Sequence, residues 1–501
     1  MKKGILKKPN DPKLEAIGGF LVLDVLALTC FGFAGYSGLL ILRIIGACLA
    51  LLLIPYYQYH LSISKKSKLP IFAIIAFLLL GFSYYWITFY SGAILYGILF
   101  NLVTTIGYCA FFLLGGSIRR MDKVKKDYIA LAILGGLALL VLVTMIYSLA
   151  RYGFFYAAIY KGQVYYYDGV VFPIASEGKI LDGFMFREAS LGYAKIPGFL
   201  LACSGVGLFS LKPSKDNWRF FALLGFALLG ILDLLFAPYV MGLLLLIPVY
   251  LFVGIHRLLL YVFPNEEGAK KRKKIGKIIF IVLLALAAIL VLTLLLDTFL
   301  DEDKSFLRKI PLFFTSEGNP RRLGAYIVDL EQTISATIFN VHGGVRSFNF
   351  VGLLFGANAI NNGGLVLINT PIAEFAVFYQ NGLLGFAGLL FLIFFGIYES
   401  WKFFEEGEEP LCRKLVYVGI LLGGFLYFSL NNDELPLIHA YQLNEFFSYH
   451  SSSAVFFTRS SYLLLFIFLL GYIYTPSKLE VKEEAKVEVK EEDKKEVTCN
   501  E

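Results

Sequence analysis

Charge is scarce in this 501-residue chain: Asp, Glu, Lys and Arg make up 17% of it, against about 25% in an ordinary soluble domain. Hydrophobic residues make up 58%, and the mean hydropathy is +0.70. A soluble fold cannot hide that much apolar surface, so a soluble enzyme is excluded. A disordered chain is excluded as well, since it needs low hydrophobicity and high charge. The alternating segments of about ten residues that build a membrane β-barrel are missing too. In their place stand continuous apolar runs of about 17–25 residues, the length a helix needs to cross a bilayer. The net charge of +7 is no nucleic-acid footprint, because the basic residues sit mostly in short loops between those runs.

Cysteine and histidine are also sparse. Cys30, Cys48, Cys109 and Cys203 fall inside apolar runs, and Cys412 and Cys499 fall on segments placed in the cytoplasm. No pair is set to staple an external loop, so the cysteines read as small apolar residues. The histidines are His60, His256, His342, His439 and His450, and none pairs with another at metal-ligand spacing. His60 and His256 read as interfacial residues of the inner side. Paired cysteine motifs, HExxH, a Walker sequence and a dinucleotide fingerprint are all absent. The chain is therefore expected to use no metal and no cofactor.

The runs predict an all-α polytopic membrane protein of about twelve spans, at 17–34, 39–57, 70–90, 93–115, 128–149, 194–211, 219–236, 239–262, 278–299, 379–398, 415–430 and 457–474. Residues 1–474 form this membrane domain. The first span has no small-residue cleavage site and is followed almost at once by another, so it reads as a span and not a signal peptide. With the N-terminus inside, the inner loops and the tail hold 32 of the 45 Lys and Arg residues. The run Lys270, Lys271, Arg272, Lys273, Lys274 is the clearest inside marker. Both termini are then cytoplasmic, in a multi-pass protein of the cell membrane. The segment 475–501 alternates Lys and Glu with scattered Val, and reads as a solvated tail or a partner-binding helix.

Outer loops three (about 150–193), five (about 300–378) and six (about 431–456) are long, where a plain bundle needs none. Loop three is rich in aromatics, among them Tyr165, Tyr166 and Tyr167. These fit an interfacial belt, or a platform on which sugar C–H faces stack. Arg187 stands near the loop's end. Loop five carries Arg308, Lys309, Arg321, Arg322 and Arg346, with His342. After Pro320-Arg321-Arg322, Leu323, Ile327, Leu330 and Ile334 recur at helical spacing, which predicts an amphipathic helix on the outer surface. Its N-terminal N–H groups beside two arginines suit an anion. The arginines fit two roles: headgroup contacts and salt bridges with Glu188, Asp329 and Glu331, or recognition of a lipid-linked phosphate. The following Gly- and Asn-rich apolar stretch, FVGLLFGANAINNGG, is too broken for a span and reads as re-entrant or pocket-lining. Glu374 then lies on the outer portion of the helix leading into span ten.

Taken together, these features resemble the bacterial O-antigen ligase and O-antigen polymerase superfamily over most of the chain. Arg187-Glu188-Ala189-Ser190-Leu191-Gly192, followed by Ile196-Pro197-Gly198, is similar to that family's third-loop arginine segment. The stretch from Arg321-Arg322 through LLFGANAINNGG to INTPIAEFAVFYQNGLLGFAGLLFL is similar to its fifth-loop arginine helix, Phe-Gly turn and following Gly-Leu-Leu-Gly helix. Two segments differ. Phe236-Ala237-Pro238-Tyr239-Val240-Met241-Gly242 stands where the family often has Ser-Arg-Gly, and Asn369-Thr370-Pro371 stands where ligases carry a histidine. These differences favour the polymerase side.

The resemblance implies a metal-independent glycosyltransferase acting outside the membrane. Its donor is an undecaprenyl-pyrophosphate-linked glycan and its acceptor another lipid-linked glycan or a lipid core. The bilayer and polysaccharide-assembly proteins are the remaining partners it implies, and nucleic acid is not among them. Arg187, Arg321, Arg322 and Arg346 are the candidate clamp for the pyrophosphate. Glu374 and His342 are candidate bases, with Asp329 behind them, and Glu374 serves equally as a salt-bridge partner of Arg321 or Arg322. Tyr165, Tyr166, Tyr167 and Asn369 are the candidate glycan contacts.

The main rival is a polysaccharide or lipid-oligosaccharide transporter. Against it stand the absence of an internal repeat and the few charges well inside spans, Asp24 and Asp233. A lipid-sugar transferase with acidic residues in its first outer loop does not fit Gly35-Tyr36-Ser37-Gly38. A cell-wall polymerase of the shape-and-division family would have about ten spans, and a non-enzymatic scaffold is the remaining alternative.

Overall fold

The computed structural model describes residues 68–76, 94–119, 123–152, 158–160, 163–165, 171–173, 195–212, 217–236, 240–297, 334–335, 337–342, 345–356, 360–361, 364–365, 373–405, 409–430 and 465–475. The expected spans 17–34 and 39–57, outer loop six and the charged tail beyond Thr475 lie outside these residues. Helix accounts for 93% of what is described.

In chain order the helices are α1 (Lys68–Ile75), α2 (Ile94–Arg119), α3 (Lys123–Tyr152), α4 (Lys195–Ser204), α5 (Asn217–Phe236), α6 (Val240–Val262) and α7 (Glu266–Asp297). The short α8 (Phe350–Phe355), α9 (Ala373–Phe404), α10 (Leu411–Leu430) and α11 (Leu465–Tyr474) follow. Three stretches, Trp218–Leu235, Gly242–Val262 and Asn381–Phe404, are long and apolar enough to cross a membrane among the described residues. Loops three and five also carry strand, which hydropathy does not reveal. Loop three holds a three-stranded antiparallel sheet, β1 (Ala158–Tyr160), β2 (Gln163–Tyr165) and β3 (Val171–Pro173). Loop five holds two hairpins, β4 (Phe339–His342) with β5 (Val345–Phe348), and β6 (Ile360–Asn361) with β7 (Gly364–Leu365).

The centre of the bundle is α4. Pro197 sits in its first turn, where a missing N–H costs nothing. Every residue from Ile196 to Gly207 is buried, surrounded by α3, α5, α6 and α10. After Ser204 the chain tightens into a 3₁₀ helix over Gly205–Ser210. A 3₁₀ helix rises about 2.0 Å per residue against about 1.5 Å for an α-helix, so this short run reaches roughly 27 Å. That is close to the roughly 30 Å of a hydrocarbon core. Close approach of α5 depends on Gly230, where any Cβ would collide with the carbonyl oxygen of Gly198 and the amide of Ala202. Tyr250 of α6 donates to the Ala202 carbonyl at 2.8 Å.

One end of the bundle is knitted by basic side chains. Helices α2, α6, α9 and α11 finish there, and α7 and α10 begin there. The Arg119 guanidinium donates to the carbonyls of Tyr472 and Ile473 at 3.1 and 2.7 Å, and stacks 4.7 Å from the ring centre of Phe403. Lys414 donates to the Phe404 carbonyl at 3.3 Å. Arg272 donates to the Phe263 carbonyl and, through its Nη2, to Glu405 Oε2 at 2.7 Å. Each cation meets the last carbonyls of a helix, the groups that have no intrahelical partner and carry the negative end of the dipole. Arg413 pairs with Glu409 one turn before it.

Candidate functional site

The first half of α9 carries the one predicted catalytic side chain that is described in full. Glu374 lies half-buried in the first turn of α9. A carboxylate there is favoured by the positive end of the helix dipole, which is a structural reason for its presence besides any chemistry. The helix does not continue straight into the span. At Gly382 the backbone takes φ 64° and ψ −165°, a left-handed conformation that separates 373–381 from 383–404. A side chain at 382 would also strike the backbone of Leu354 and Phe355 at the end of α8. The conformation and the close approach therefore both require glycine. Asn381, just before the break, is buried.

Loop five is anchored onto this broken helix by a small apolar core of its own. Ile334 and Ile338 pack with Phe375 and Phe378 from the short half of α9 and with Phe386 from the long half. Phe386 lies 5.8 Å and 5.6 Å, ring centre to ring centre, from Phe375 and Phe378. Residues 334–335 and 337–338 are helical, at the end of the amphipathic stretch that begins near Arg321. The chain then makes the β4–β5 hairpin, in which Val341 faces Arg346 and His342 faces Val345. Asn349 closes the hairpin, its amide donating to the Ile338 carbonyl at 2.7 Å. Its side chain caps α8 by accepting from the Gly352 amide at 2.9 Å. The stretch read as re-entrant or pocket-lining begins with this capped helix, which lies on α9, and runs on into the β6–β7 hairpin.

His342 and Arg346 therefore share one hairpin, and that hairpin and Glu374 flank one core. Tyr165 ends β2, paired with Ala158 and Val171. Arg187, Arg321, Arg322, Asp329, Tyr166, Tyr167 and Asn369 lie outside the described residues. Among the described residues no group of three or more His, Cys, Asp and Glu could hold a metal ion.

Two charged positions stand out that their sequence context did not mark as sites. Asp233 is fully buried in α5 and packs against Gly198 in the first turn of α4, where any Cβ would overlap its carboxylate. Its placement in an apolar run was visible in the sequence, but the glycine seat comes from a segment far away in the chain. His256, read as interfacial on the inner side, is fully buried at the basic end. Its Nε2 lies 2.9 Å from Glu405 Oε1, and Glu405 also accepts from Arg272 Nε at 2.9 Å. Burial pushes the Glu405 carboxyl up, but the hydrogen bonds from His256 and Arg272 and their charges outweigh it and hold it at about 2.

Compared with known proteins, the chain matches no family model, no curated protein and no solved structure.

Proposed function

We propose that the chain is an integral membrane glycosyltransferase that joins lipid-pyrophosphate-linked oligosaccharides on the outer face of the cytoplasmic membrane, with both of its termini in the cytoplasm. The observation that carries this reading is the break of α9 at Gly382 under the folded part of loop five. Irregular backbone at the end of an apolar helix is tolerated where it is buried in protein or lines a cavity. Here it holds Glu374 and the His342–Arg346 hairpin on one small core, downstream of Arg321 and Arg322 in the same loop.

In the proposed reaction, an acceptor hydroxyl oxygen attacks the anomeric carbon of the donor. The bond from that carbon to the pyrophosphate oxygen breaks, and lipid pyrophosphate leaves. The leaving group already carries charge, so it needs cations more than a proton, and Arg187, Arg321 and Arg322 supply them, with Arg346 nearby in the chain. The hydroxyl proton passes to Glu374, or to His342 as the second base. One direct displacement inverts the anomeric centre. Tyr165, Tyr166, Tyr167 and Asn369 hold the glycan.

The same break favours a second reading, a lipid-oligosaccharide transporter, because discontinuous helices also build transport sites. Purified full-length chain in lipid vesicles, given an undecaprenyl-pyrophosphate oligosaccharide, distinguishes the two. A transferase gives longer lipid-linked glycans and an equal amount of free lipid pyrophosphate. Substrate crossing a vesicle bilayer without elongation supports the transporter. Glu374→Gln keeps size and much of the hydrogen bonding but removes basicity. Normal protein with lost polymer assigns the base, lost protein assigns a structural bridge, and unchanged polymer moves the role to His342.

A further inference from the structure

The basic run Lys270–Lys274 lies within the helix α7, not in a loop before it. At 3.6 residues per turn, Lys270, Lys271, Lys273, Lys274 and Lys277 fall within an arc of about 160°, while Arg272 points the opposite way. Their surroundings divide along the same line. Arg272 is 6% exposed and is committed to Glu405 and to the Phe263 carbonyl. The five lysines are all exposed. The carbonyl of Arg272 accepts from the Trp401 indole at 3.2 Å, and Phe280 packs on Tyr398. These contacts join the lower part of α7 to α9.

Above that point most described residues of α7 are exposed. Ile278, Ile281 and Leu284 continue the lysine face up the helix, and they are 51%, 51% and 43% exposed. Leu286, Ile289, Leu292 and Leu296 are exposed as well. The outward face of α7 is thus a single stripe, cationic at its foot and apolar above. A free phosphate would use the foot alone, and an apolar protein partner the stem alone. A molecule with a negative head and a hydrocarbon body matches both.

We propose that the outward face of α7 binds an anionic phospholipid, its headgroup phosphate held by the five lysines and its acyl chains lying along Ile278, Ile281 and Leu284. Charge complementarity selects the headgroup, since clustered lysines beside a membrane helix attract anionic lipid. Strongly hydrated ammonium groups on flexible stems suit that task, whereas the planar guanidinium of Arg272 suits its bidentate carboxylate. The site requires that α7 lie in lipid, and it does not depend on the transferase reading.

The test uses the full chain in vesicles of roughly three parts phosphatidylcholine to one part phosphatidylglycerol. A photo-crosslinking amino acid replaces Ile278, which leaves every lysine in place. Mass spectrometry of the adducts should find phosphatidylglycerol at about twice its mole fraction or more, and at its bulk fraction when the probe sits at Leu292. High salt should bring the Ile278 value down to bulk, as should changing the five lysines to Gln with Arg272 kept. If that variant does not accumulate, the salt dependence decides. Bulk proportions in the unaltered chain, or enrichment that survives both treatments, overturn the proposal. So does crosslinking mainly to a second copy of the chain, or loss of enrichment on adding inorganic phosphate at unchanged ionic strength.

Discussion

The two ends of the bundle place charge differently. At the basic end, cations meet the last carbonyls of α6, α9 and α11, and Glu405 ties together the end of α6, the start of α7 and the end of α9. Each of those side chains is answered by a neighbour. At the other end the acidic groups sit on the packing of single helices: Asp233 is seated on Gly198, and Glu374 heads a half-helix that stops at Gly382. One end is built for rigidity, with caps, an Arg272–Glu405 ion pair and a hydrogen bond between Glu405 and His256. The other has a broken helix, hairpins and loops. Sites concentrate where irregular backbone is held on a rigid scaffold.

Removing the shared carboxylate is the most direct way to break the first end. Glu405→Ala leaves His256 and Arg272 buried without their anion and should cost about 3–5 kcal/mol, read as a lowered melting temperature in detergent. A loss like that of an exposed pair, about 0–1 kcal/mol, would show that the network is not structural. The proposed transfer reaction predicts failure in activity instead. Arg187→Lys and Arg322→Lys should each accumulate normally and lose polymer formation by on the order of 100-fold, because lysine lacks the fork that fits pyrophosphate oxygens. Polymer of normal length and amount from both would end the clamp idea.

The break in α9 gives a smaller, mixed effect. Gly382→Ala places a Cβ at positive φ and against the α8 backbone, and should cost about 1–3 kcal/mol in stability. It should also lower activity more than the stability loss explains, since the half-helix carrying Glu374 must shift. Equal melting temperature and equal activity would show that the break is incidental. The effect confined to the narrowest conditions is in pH. The Glu405 carboxyl is held at about 2, below its ordinary 4.5, so its stabilisation is complete above about 4.5 and is lost as pH falls from there toward 2. Melting curves should therefore show the native chain losing its advantage over Glu405→Gln in that acid window and not near neutrality.

Much of the helical layout was legible because apolar runs report directly on what must be kept from water. The expected run 219–236 is the helix Asn217–Phe236, and 239–262 is Val240–Val262. Helix ends were less legible where charge is involved. Span nine reads as starting near 278, yet α7 begins at Glu266, because exposed lysines are compatible with a helix while lowering its hydropathy. Strands in loops three and five escaped notice, being two to four residues long with no sustained alternation.

The sequence by itself determined that this chain is helical, apolar over most of its length, and basic at one set of helix ends. These properties follow from composition and from spacing along the chain. Only the tertiary structure decided which distant residues meet: Asp233 with Gly198, His256 with Glu405 and Arg272, and Gly382 with the end of α8. The same division holds for the basic run, where the sequence shows a block of like charge. Packing alone separates Arg272, turned inward to a carboxylate, from the five lysines turned out. The physical reason is that burial and pairing depend on neighbours brought together across the fold, and a linear pattern records only the neighbours along the chain.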